Sequence, residues 1–109
     1  MIIDLKDVKE VEYPAFKGGN GSVFLKMLTK NDVKFLQGRV PAGSSVGLHK
    51  HITDSETILV LSGKGKAVCD GETELVSAGV CTFCPRGSSH TLINDGNEDL
   101  LFYAVVPQQ

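Results

Sequence analysis

Turn residues recur along this chain at intervals too short for helices. Lys30-Asn31-Asp32, Pro41-Ala42-Gly43, Gly63-Lys64-Gly65, Asp70-Gly71, Pro85-Arg86-Gly87 and Asp95-Gly96-Asn97 cut residues 22–106 into runs of four to eight residues. The runs are Ser22–Thr29, Val33–Val40, Val46–His51, Glu56–Ser62, Lys66–Cys69, Glu72–Val76, Val80–Cys84, His90–Asn94 and Leu100–Val106. They are rich in β-branched and aliphatic side chains, and no window of ten or more residues carries a helical period. Asp70-Gly71 is the residue pair that a two-residue type I′ hairpin requires. Many short strands with regular turns predict an all-β sandwich or barrel. With 109 residues, one domain around one core is expected.

Residues 1–21 are weakly patterned. Ile2–Val11 reads either as an edge strand or as irregular chain. Lys17-Gly18-Gly19-Asn20-Gly21 reads as a connection, because no helix signal follows to make it a phosphate loop. The division expected is an N-terminal segment, 1–21, packing on the barrel or on a partner, and a barrel domain, 22–109.

Two runs are apolar on both faces. In Glu56–Ser62 the Glu56 face carries Ile58 and Val60, and the opposite face carries Leu59 and Leu61; Leu100–Val106 is apolar or aromatic throughout. An antiparallel sheet with one wet face would alternate instead. Something must cover the second face, either the N-terminal segment or a second subunit. A two-fold homodimer, the commonest oligomer, is the expectation.

The chain has three histidines, and two stretches hold them all. In residues 43–63, GSSVGLHKHITDSETILVLSG, His49 and His51 are two apart, so on a strand they share a face. Glu56 begins the next run. In residues 79–94, GVCTFCPRGSSHTLIN, His90 opens a later run. If His49 and His51 face inward, four ligands from three strand ends would meet at one mouth of a barrel. Imidazoles with one carboxylate suit Mn, Fe, Co, Ni, Cu or Zn, and an octahedral ion held by four protein donors keeps two positions open.

These stretches resemble the two conserved motifs of the cupin superfamily. Gly43, His49, His51, Glu56 and Gly63 fill the first, G-x5-H-x-H-x3-4-E-x6-G. Gly79, Pro85, Gly87, His90 and Asn94 fill the second, G-x5-P-x-G-x2-H-x3-N. The chain is most similar to small single-domain bacterial members. The resemblance implies a double-stranded β-helix, or jelly-roll barrel, and often a dimer. It also implies one divalent transition metal per chain on His49, His51, Glu56 and His90, with Asn94 holding a strand end. Many relatives carry Asp after the second-motif glycine, where this chain has Val80.

Parity from the ligands nominates pocket residues: Ile58 and Val60 beside Glu56, and Leu92 and Asn94 beside His90. By analogy with relatives, Cys81 and Phe83 face inward. Cys81 would then approach the metal or simply pack. Gln37 and Arg39 are further candidates; facing in, Arg39 would pair with a substrate carboxylate, and a surface position is the other reading. The cysteines, Cys69, Cys81 and Cys84, are odd in number and offer no second pair for a structural zinc site, so they read as small buried hydrophobes.

A net charge of −2 provides no basic field for nucleic acid or an anionic membrane. The opening MIIDLKDVKE shows no secretory pattern, and a cytoplasmic protein is expected. Two functions fit. One is a metal-dependent enzyme of dioxygenase or isomerase type, acting on a small oxygen-rich organic molecule. The other is a non-catalytic module that binds or senses a sugar or organic acid at the same site. No spare residue stands out as a general base, which favours chemistry centred on the metal.

Overall fold

The computed structural model describes all 109 residues. It contains ten strands: β1 Val11–Pro14, β2 Ser22–Lys30, β3 Val33–Val40, β4 Ser45–Lys50, β5 Glu56–Ser62, β6 Lys64–Cys69, β7 Glu72–Ser77, β8 Cys81–Cys84, β9 Ser89–Ile93 and β10 Leu100–Pro107. The one helical piece is a 3-10 turn, Phe16–Gly18. One sheet has the order β1-β2-β3-β10-β5-β8 and the other the order β4-β9-β6-β7. Every pairing is antiparallel. The two sheets form a jelly roll around one core without closing into a continuous hydrogen-bonded cylinder.

Turn chemistry sets the hairpins. Asp70 and Gly71 both have positive φ, 48° and 85°, as do Asn31 and Asp32 at 51° and 62°. Two successive positive φ values make the type I′ turn, whose twist matches that of the flanking strands. The alternation then decides what is buried. Ile58 and Val60 on β5 and Leu100, Phe102, Ala104 and Val106 on β10 enter the core, together with Val23, Leu25, Leu36, Val40 and Leu92. Phe102 lies opposite Gly38, where an added Cβ would come within 2.1 Å of the ring, so glycine is what leaves room for the aromatic. Burying such a ring contributes about 1.5–3 kcal/mol.

The edge strand near the N-terminus is β1, which pairs Val11 with Leu25 and Tyr13 with Val23; residues ahead of Val11 form no strand. Those earlier residues run beside β2 and β3. Lys26 Nζ donates to the Lys6 carbonyl at 3.3 Å, and Arg39 pairs with Glu10 at 3.1 Å. They leave uncovered the outer face of β10, β5 and β8, which carries Leu59, Leu61, Phe83, Tyr103 and Val105.

Candidate metal centre

The first histidine reaches the interior through an irregularity in β4. Val46 pairs with Leu92 and His49 with His90, and the register shifts between them. Without that shift, residues three apart would face opposite ways. With it, Val46 and His49 both line the same cavity, while Leu48 is thrown out to solvent. His51 follows just past the end of β4 and is buried. Glu56 opens β5, and His90 stands on β9 directly across from His49.

Two of the three rings, His49 and His51, are oriented from behind. The Gly47 carbonyl accepts from His49 Nδ1 at 2.8 Å, so that nitrogen carries the proton and Nε2 is left bare. Asp54 Oδ1 lies 2.6 Å from His51 Nδ1, which fixes the same tautomer there. The two bare nitrogens and His90 Nε2 then crowd together. His51 Nε2 is 2.9 Å from His90 Nε2, and His49 Nε2 is 3.2 Å from it. Glu56 Oε1 lies 3.2 Å from His51 Nε2 and 3.0 Å from His90 Nε2.

This arrangement passes a test for a metal. Donors held about 2.1 Å from one ion and at right angles around it are about 3 Å apart. The observed spacings match that, and ligand atoms from all four residues lie within 4.8 Å of one another. One proton on His90 cannot reconcile three facing imidazoles and a carboxylate, whereas a cation at their centre satisfies all four. Burial pushes the His49 imidazole below its ordinary pKa; the Gly47 carbonyl opposes this, and His90 and His51 add to it. The neutral, ligating form is therefore the favoured one. Thiolate is not part of the set: burial, and then the neighbouring Cys69, push the Cys84 thiol up to about 12.

The four side chains face a cavity of about 380 Å³. Its walls are mostly apolar, with Leu25, Met27, Leu36, Val46, Ile58 and Phe102 among them, and its other charged lining residues are Lys17, Lys34, Lys50 and Asp54.

Of the nominated pocket residues, Ile58 and Leu92 line this cavity. Val60 and Asn94 are buried away from it. Asn94 clamps the β9–β10 connection instead: its Nδ2 donates to the Val40 carbonyl at 2.8 Å and the Glu98 carbonyl at 2.7 Å, and its Oδ1 accepts from Gly96 N–H at 2.9 Å. The inward placement of Cys81 and Phe83 is corrected. In the β5–β8 ladder Glu56 pairs with Cys84 and Ile58 with Thr82, and directly paired residues share a face. Cys84 and Thr82 therefore point in, and Cys81 and Phe83 are exposed. Gln37 and Arg39 are corrected likewise. Leu36, Gly38 and Val40 take the inner face of β3, so their odd-numbered neighbours face out. Arg39 stacks 4.0 Å over the Phe24 ring and pairs with Glu10 and Asp99, all outside the cavity.

The sequence reading missed Asp54 and Lys34. Asp54 stands three residues after His51, in the spacer of the first motif. Lys34 shares parity with Leu36 in the run Val33–Val40, and that parity was the signal available.

Residues 37–106 match the family described as the cupin domain. The chain is 32% identical to the "Oxalate-binding protein" of Thermotoga maritima over 97% of this chain and 93% of that one. A crystal structure from Thermotoga maritima, described as a "predicted oxalate decarboxylase", superposes with a TM-score of 0.92 at 32% identity, covering 100% of both chains. The cupin domain of Cnp3 from Schizosaccharomyces pombe is similar in fold alone, with a TM-score of 0.79 at 17% identity over 97% of this chain and 72% of that one.

Proposed function

The chain belongs to the cupin family, and we propose that it binds a divalent transition metal at His49, His51, Glu56 and His90 and uses it to capture a small oxygen-rich carboxylate. The observation that carries this reading is the convergence of three imidazole nitrogens and one carboxylate at the wall of a cavity of about 380 Å³. Such a volume suits a small molecule rather than a polymer. A bound divalent ion would supply Lewis acidity and open positions for a chelating ligand. The name of the Thermotoga maritima relative supports oxalate or a close analogue as that ligand.

The protein's own groups do the rest. Asp54 and the Gly47 carbonyl hold the His51 and His49 rings in their ligating tautomers. The apolar part of the wall, with Leu25, Leu36, Ile58 and Phe102, lowers the local dielectric and so strengthens a charge interaction made against it. Calorimetric titration tests the proposal. Oxalate should bind the metal-loaded protein and fail to bind either the metal-free protein or metal-treated His51→Ala. Equal binding with and without metal would sink it.

The second reading is a metal-dependent enzyme of dioxygenase or isomerase type. It is favoured by the side of the donor cluster that faces the open cavity, where a substrate could enter. Oxygen uptake or rearranged product from the iron- or manganese-loaded protein would select this reading, and tight binding without turnover would select the first.

A further inference from the structure

Lys34 is a cation without a counterion. It stands on the inner face of β3, in register with Leu36 and opposite Val106 of β10, and it lines the cavity. Its side chain is partly buried, yet it makes no hydrogen bond or ion pair within the protein. The two carboxylates of the lining are already engaged. Glu56 belongs to the donor cluster, and Asp54 is held by His51 with Gln108 near its other oxygen. A partly buried lysine on the wall of a cavity, with no carboxylate of the protein against it, gives up hydration without gaining a partner, and proteins normally pair such a charge.

We infer that Lys34 is the specificity residue of the site, and that it selects a ligand carrying a second negative charge beyond the group that chelates the metal: a small dicarboxylate rather than a neutral or singly charged chelator. This inference rests on the metal-dependent binding proposed above and deepens it. The metal cluster recognises the chelating oxygens. Lys34 recognises the remaining anionic oxygens through a charge-assisted hydrogen bond. Lys17 and Lys50, exposed residues of the lining, have no ion-pair partner either, so the lining carries three lysines against the two carboxylates Asp54 and Glu56.

The test compares oxalate with its monoamide, oxamate, which keeps chelating oxygens and loses one charge. Metal-loaded wild type should prefer oxalate. Lys34→Met should weaken oxalate by about tenfold to a hundredfold, leave oxamate nearly unchanged, and leave the metal content at its wild-type value; Lys34→Arg should recover most of the preference. Metal-free Lys34→Met should melt no lower than wild type, since it removes an uncompensated charge. An unchanged preference in Lys34→Met, or a lowered melting temperature with parallel loss of both ligands, would overturn the inference while the metal-dependent reading stands. Failure of loaded wild type to bind either ligand would overturn both.

Discussion

At the scale of single residues, the donor set depends on the groups behind it: Asp54 meets His51 Nδ1 and the Gly47 carbonyl meets His49 Nδ1. His49, His51, Glu56 and His90 could be read because spacing along the chain encodes them. Asp54, which meets His51 Nδ1 at 2.6 Å, looked like one more loop acid. A carboxylate behind a ligating imidazole typically matters by about 10–100-fold in metal affinity. Asp54→Ala should therefore weaken the metal by about that factor without displacing any ligand, as measured by competition with a coloured chelator. His49 gives a pH prediction. Its folded pKa is lowered, with burial the main cause. Below about pH 6.5 the unfolded chain takes up a proton that folded His49 declines. The metal-free protein should thus lose stability as pH falls through that value. The loss should level off once folded His49 itself protonates, and melts at a series of pH values check this.

At the scale of elements, strands and turns were legible because Gly, Pro, Asn and Asp punctuate them, and Asp70-Gly71 forms the predicted hairpin. Parity within a strand was legible only where no irregularity intervened. The register shift in β4 turns His49 inward after Val46, and nothing in the spacing announces it. Facing on β8 depends on which residue of β5 it meets, so Cys81 and Phe83 could not be placed from their own run. The β9–β10 connection offers the clearest energetic test. Asn94 is 1% exposed and makes three hydrogen bonds to the main chain. Removing its amide takes this partner from the buried Val40 carbonyl, at about 1–3 kcal/mol for such a loss, and from the partly buried Glu98 carbonyl and Gly96 N–H. Asn94→Ala should lower unfolding stability by about that much or somewhat more, read from the urea midpoint, while the metal stoichiometry of the folded protein stays at one.

For the whole molecule, the apolar second face anticipated on β5 and β10 is present and uncovered. Thr57 pairs with Phe83 across β5 and β8, and Leu59 with Cys81; Leu59 also meets Tyr103 of β10. With Leu61 and Val105 these residues, none of them charged, lie on the outer face of the three strands. Such a face meets a second copy of itself without like-charge repulsion, and a two-fold dimer through it is the assembly we propose. Sedimentation should give a dimer for wild type and a monomer for Phe83→Glu, with the metal site intact in both. A wild-type monomer at high concentration would remove the proposal. No helix is long and apolar enough to cross a membrane. The fold class followed from turn spacing and alternation, whereas the choice of outer covering was not decidable, because a strand apolar on both faces does not say what lies against it.

Metal capture by this fold depends on three imidazoles and one carboxylate holding a single ion. X-ray absorption at the metal edge, on protein loaded with one equivalent of manganese or zinc, reads that shell directly. Three imidazole scatterers are expected, with oxygen completing the shell, at about 2.0–2.2 Å, and one imidazole should be lost in His90→Ala. A sulfur scatterer near about 2.3 Å, or a shell with fewer than two imidazoles, would contradict it.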